Sequence, residues 1–208
     1  MLTSRTKRTT GLRAAGFTLI EMIVTMTIFA LLVALTIPTM RTWVADAKVR
    51  AVAESLQNGL RLAQTEALRR GRQVVFTFTT TANPQVGATG GGSGNYWFAQ
   101  TIPADPSETA VVVGSGPLTA GSSTVTISGF VVSLCFNSVG RLVTQISTGV
   151  AGAVCLSPIF PSNGLLMWPL TVSMPQADHS LEVEVTLGGQ IHVCDPTQTL
   201  SATNPYGC

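Results

Sequence analysis

The chain has 208 residues, room for one domain with an appendage, which excludes a large multidomain enzyme. Hydrophobic residues make up 45% and charged ones only 11%, well under the roughly one quarter usual in soluble domains, so part of the chain is expected to sit outside water. The net charge of +2 hides an uneven distribution. Residues 1–16 carry Arg5, Lys7, Arg8 and Arg13 and no acid, residues 41–72 hold seven cations against three acids, and everything from Gln73 onward has Arg141 against six acids. That acidic distal part disfavours a general nucleic-acid-binding surface.

In chain order, the first element is an apolar run over residues 17–37 whose only ionisable side chain is Glu21. At about 1.5 Å per helical residue it is long enough to cross a hydrocarbon core of roughly 30 Å. The cations before it predict a cytoplasmic N-terminus and a translocated distal part. A cleaved secretory signal is the rival reading, but the run ends in Leu35-Thr36-Ile37-Pro38, with no small-x-small site. Glu21 demands an explanation, because a carboxylate in an apolar segment costs several kcal/mol unless paired, neutralised or near the interface. Pro38 lacks a backbone donor, which predicts a kink near the membrane exit.

Beyond Pro38, Val49, Val52, Leu56, Leu60, Ala63 and Ala67 recur at steps of three and four, which predicts a helix with one buried face. Asp46 with Arg50 and Glu66 with Arg70 form i,i+4 pairs in the favourable order. Arg69 and Arg70 followed by Gly71 predict the helix end. From there the pattern turns to short β-rich runs, with strands expected over 73–80, 96–101, 109–113, 123–127, 131–136, 141–146, 165–168 and 180–194. In the last run Leu181, Val183, Val185 and Leu187 share one face, Glu182, Glu184 and Thr186 the other, and Gly188-Gly189 supplies positive φ for a tight hairpin. The Gly-rich stretch 90–94 has no phosphate-loop lysine and reads as a loop. The fold class expected is α+β: a long N-terminal transmembrane and amphipathic helix packed on a mainly antiparallel β domain.

Cys135, Cys155, Cys194 and Cys208 all fall in the translocated part, where disulfides persist. Four cysteines allow three connectivities, and pairing of sequence neighbours, Cys135 with Cys155 and Cys194 with Cys208, is favoured because the second bridge staples the Pro- and Asn-containing tail. There is no Cys-x-x-Cys, and His179 and His192 lack the spacing of a metal site or a nucleophile relay. Glu182 and Glu184 read as a solvated face. No catalytic residue, metal or cofactor is expected, and the chain does not read as an enzyme.

The order Gly16-Phe17-Thr18-Leu19-Ile20-Glu21, behind a basic leader and ahead of an apolar helix ending in Pro38, resembles the class III signal of type IV prepilins and pseudopilins. That resemblance implies that a prepilin peptidase cuts between Gly16 and Phe17 and N-methylates Phe17. It also implies that Glu21 pairs with the N-terminal ammonium of a neighbouring subunit, and that the helix kinks or melts at Pro38 on assembly. Ala63-Gln64-Thr65-Glu66-Ala67 with Arg70-Gly71, and Phe136-Asn137-Ser138-Val139-Gly140-Arg141, are similar to patterns of the GspH/FimT family of minor pilins and pseudopilins. The closing segment from Cys194-Asp195-Pro196 to Cys208 looks most like the FimU-type branch. The organisation implied is a cleaved leader 1–16, a transmembrane and assembly helix 17–40, a stem helix 41–72 and a β-rich domain 73–208. The function implied is a minor type IV pilin of the bacterial inner membrane that primes assembly or joins the tip complex, supporting piliation and twitching motility. Its N-terminus would be cytoplasmic and its distal domain periplasmic. Its partners would be other minor and major pilins, the peptidase and the inner-membrane assembly platform. The alternatives are a type II secretion pseudopilin and a DNA-uptake receptor. The basic Gly-Arg-x-Arg pattern of DNA-uptake relatives reads Gly189-Gln190-Ile191-His192 here, which does not favour DNA.

Overall fold

The computed structural model describes residues 16–91, 94–118, 124–129, 133–145, 148–150, 153–155 and 167–208. The leader cations Arg5, Lys7, Arg8 and Arg13, and the expected strand positions 123, 131–132, 146 and 165–166, lie outside the described residues. The chain divides into two compact units, Met1–Met40 and Arg41–Cys208.

One helix, α1, runs over Leu19–Arg70. Thr18 caps its start, accepting a 3.3 Å hydrogen bond from the Glu21 backbone N–H, the T-x-x-E spacing of a capping box. Gly71 ends it with φ +61°, and the bonds Gly71 N–H to Leu68 O and Arg72 N–H to Ala67 O make a Schellman motif.

The strands are β1 (Val74–Thr79), β2 (Tyr96–Thr101), β3 (Val112–Pro117), β4 (Thr126–Ser128), β5 (Ser133–Phe136), β6 (Leu142–Val143), β7 (Met167–Ser173), β8 (Leu181–Thr186) and β9 (Ile191–Cys194). They form two antiparallel sheets, β3-β2-β1-β5-β6 and β4-β7-β8-β9. The predicted stripe from Val49 to Ala67 is buried, extended by Ala45 and Ala53, and forms one core with Phe76, Phe78, Trp97, Leu134 and Phe136 of the first sheet and Trp168, Leu170, Val183 and Val185 of the second. Phe76 stacks on Trp97 with ring centroids 5.2 Å apart and meets Phe78 edge-on. A smaller cluster of Val75, Ile102, Cys135, Ala153 and Cys155 forms apart from that core. The Leu142 N–H donates to the Leu187 carbonyl, joining the edge of one sheet to the last hairpin of the other.

Two strands run past their expected ends. β3 continues through Gly114-Ser115-Gly116-Pro117, which read as turn residues, because a side chain at Gly114 would strike Leu62 Cδ2 at 2.6 Å and one at Gly116 would press on Trp97. β7 continues past Pro169 to Ser173. Pro169 lies opposite Glu184, a residue whose backbone faces β9, and among the described residues the pairing with β4 begins only at Thr171, so the missing N–H forfeits no ladder bond there. The last hairpin has a three-residue loop: Thr186 and Gln190 pair, and of the two glycines only Gly189 takes positive φ, +87°.

Candidate assembly site

The first part of α1 presents apolar side chains on every face. Leu19, Ile20, Met22, Ile23, Met26, Ile28, Phe29, Leu31, Leu32 and Leu35 are all exposed, and the helix is long and apolar enough to cross a membrane. Its hydroxyls are satisfied within the helix, Thr25 donating to Met22 O and Thr27 to Val24 O, as a nonpolar surrounding requires. Gly16 and Phe17 precede the helix, and Phe17 is 78% exposed. Glu21 is exposed in the first helical turn, and its carboxylate meets no cation among the described residues. Pro38 lies inside the continuous helical span, where its ring nitrogen cannot donate to the Ala34 carbonyl.

In the distal unit, Cys135 is bridged to Cys155 and Cys194 to Cys208, with Cα separations of 5.5 and 5.1 Å. The second bridge closes the tail onto β9, where the Asp195 N–H donates to Tyr206 O and the Cys208 N–H to Asp195 O. Asp195 accepts from the backbone and hydroxyl of Thr197, and these bonds hold its carboxyl below the usual range.

Three side chains of α1 to which the sequence assigned no contact clamp the helix to the sheets. Gln57 Nε2 and an Arg61 guanidinium nitrogen both donate to Ile191 O, and Gln64 Nε2 donates to Gly140 O at 2.7 Å and Gly189 O at 2.8 Å. This gives the glycines their reason. Both have positive φ, and a Cβ on Gly189 would stand 2.1 Å from Gly140 O and 2.5 Å from Gln64 Nε2. The signal was the pairing of the Gln64 segment with two turn glycines, visible in sequence only as unconnected motifs.

The acidic face of β8 is not solvated as the alternation suggested. Glu184 is 5% exposed, flanked in register by Pro169 and His192, and its Oε2 lies 2.8 Å from His192 Nε2. Burial first, and the Glu184 charge second, push the Glu182 carboxyl up. Ligand atoms of Glu184, His192 and Cys194 come within 4.8 Å of one another, but Cys194 is bonded to Cys208 and has no thiolate to offer a metal. Asp46 also differs from expectation. Its Oδ1 accepts from the Asp178 and His179 N–H groups at 2.9 and 3.2 Å, so it caps that turn, and Arg50 makes no ion pair among the described residues. Glu66 does pair with Arg70, and with Arg69 as well. A groove of about 940 Å³ lined by Trp43, Arg50, Glu54, His179, His192 and Tyr206 lies between α1 and the stapled tail.

An exposed apolar helix with one carboxylate near its start, continued by a stem built into a disulfide-bonded β domain, defines a membrane-anchored subunit of the pilin and pseudopilin class. The chain belongs to the family described as type II transport protein GspH, whose model matches residues 52–175, and the prokaryotic N-terminal methylation motif matches residues 12–37. No curated protein sequence matches it. Among solved structures, it is similar to the type IV minor pilin FimU of Pseudomonas aeruginosa, with 13% identity over 73% of this chain and 92% of that one and a TM-score of 0.48. It is also similar to the minor pseudopilin EpsH of the type 2 secretion system of Vibrio cholerae, with 11% identity over 73% and 99% and a TM-score of 0.43. Identities this low carry nothing about role.

Proposed function

We propose that this chain is a minor type IV pilin that primes pilus assembly or joins the tip complex and has no catalytic activity of its own. The observation that carries the reading is the methylation motif on a fully exposed apolar helix, continuous with a stem clamped into the β domain. A prepilin peptidase cuts between Gly16 and Phe17 on the cytoplasmic side and methylates Phe17; the new ammonium then meets Glu21 of a neighbouring pilin, where low dielectric strengthens the attraction. Pro38 gives the helix a place to bend or loosen as the subunit leaves the inner membrane through the assembly platform. The distal domain, with both disulfides, faces the periplasm before entering the pilus. Direct DNA contact finds little support, since Arg61 is spent on Ile191 O and His192 on Glu184.

Two experiments test this role. Deleting the gene should abolish most surface piliation and twitching, and Glu21→Ala should leave the distal domain folded while reducing incorporation into pili. Wild-type incorporation of the variant would refute the charge-pair step. The family description favours one second reading, a type II secretion pseudopilin; normal piliation with defective protein secretion in the deletion would decide for it.

A further inference from the structure

β3 is an edge strand of the first sheet, and no strand among the described residues pairs with its free side. The Leu118 N–H bond to Asn95 O fixes the ladder phase: Gly116 and Gly114 face β2, while Ser115 turns its own N–H and C=O outward. Ser115 is exposed and these two groups have no partner among the described residues, whereas the next outward carbonyl, that of Pro117, accepts from Ser55 Oγ at 3.2 Å. Of the other edges, β4 is only three residues long, and the remaining two are covered. β6 is bonded to Leu187, and β9 is covered by Gln57, Arg61 and the tail. No charged residue lies within 109–118, so β3 lacks the charges that ordinarily protect an edge.

Beside this edge is a cleft of about 520 Å³ between α1 and β3, walled by Ala51, Asn58, Leu62, Gly116 and Pro117, with the exposed Glu54 also on its lining. Trp97 forms part of its lining; it is 7% exposed, and its indole N–H has no hydrogen-bond partner among the described residues. The nearest approach of a Cβ built on Gly116 is to that nitrogen, at 3.2 Å, so the donor sits where a neighbouring strand's inward side chain would arrive.

We propose that the free edge of β3 and the Trp97 cleft together form a docking site for an extended, uncharged segment of a different subunit. That segment adds a strand through the Ser115 N–H and C=O and places a neutral side chain with an acceptor oxygen into the cleft, against the Trp97 indole N–H. A second copy of this chain does not fit. Two β3 strands paired antiparallel about Ser115 set Gly114 opposite Gly116 on the inner face, leaving the cleft empty and the indole donor unmet. The site is independent of the processing and charge pairing of the N-terminal helix.

The test uses the full chain in detergent micelles and an acetylated, amidated peptide of alternating threonine and valine with a central asparagine. On titration, amide resonances should show protection at Ser115 and a downfield shift of the Trp97 indole N–H. Ser115→Pro, which removes an N–H that faces solvent in the fold, should weaken binding about tenfold or more. The peptide with central glycine should leave the indole unshifted. Failure of the asparagine peptide to perturb either group, equal binding by Ser115→Pro, or an equal indole shift with the glycine peptide would overturn the proposal. So would Ser115 protection that grows with protein concentration alone, which means pairing of two copies.

Discussion

The two parts of α1 share one backbone pattern and have opposite surfaces. From Leu19 to Ile37 the apolar side chains are exposed, whereas from Ala45 to Ala67 a single stripe is buried to within a few per cent of completely. The first part needs an apolar surrounding from outside the chain, and the second finds its own in the two sheets. Hydrophobicity alone therefore does not tell a membrane helix from a core helix; the angular distribution of apolar residues does.

Substitutions at matched leucines should expose that contrast most strongly. Leu60→Ala removes a fully buried side chain and should destabilise the distal unit by about 2–5 kcal/mol, read by urea unfolding followed through the buried Trp97 and Trp168. Leu32→Ala, at an exposed site, should leave that transition in place. Equal effects would break the comparison. Replacing both Cys194 and Cys208 by serine opens a loop with a sequence separation of 14 and should cost about 3 kcal/mol, again without touching the first part of the helix.

A smaller loss is expected at the helix clamp. Gly189→Ala meets both an unfavourable φ and a collision with Gly140 O, and about 1–3 kcal/mol should be lost. Gln64→Ala forfeits two hydrogen bonds and should cost about 1–2 kcal/mol. Smallest of all is the acid dependence of the helix end. Hydrogen bonds from Arg69, then Arg70, lower the Glu66 carboxyl from its ordinary 4.5 to about 2. A lowered folded pKa gives stability that is present above 4.5 and lost as pH falls toward 2. On this exposed surface the change should be about a few tenths of a kcal/mol, seen as lower amide protection factors, corrected for the intrinsic rate, at Arg69 and Arg70 below pH 4.5.

What was legible in the sequence follows from which interactions are local. The helix end at Arg70-Gly71, the stem stripe and the apolar face of β8 depend on residues three, four or two apart, and all are found where expected. The Gln64 clamp, the cover over Glu184 and the turn cap by Asp46 join residues 76, 125 or 132 positions apart, or depend on the order of strands, which periodicity does not encode. β3 was misplaced for the same reason. Gly114 and Gly116 punctuate a sequence, but here they are glycine because Trp97 and Leu62 already fill the space of a side chain.

On the proposed role, the exposed apolar helix becomes the beginning of the mature assembly subunit. Mass spectrometry of the protein extracted from membranes of cells with an active prepilin peptidase tests this most directly. A chain starting at Phe17 with a methylated α-amine, lacking residues 1–16, is expected. A chain that retains its leader, or one cut anywhere other than between Gly16 and Phe17, would contradict it.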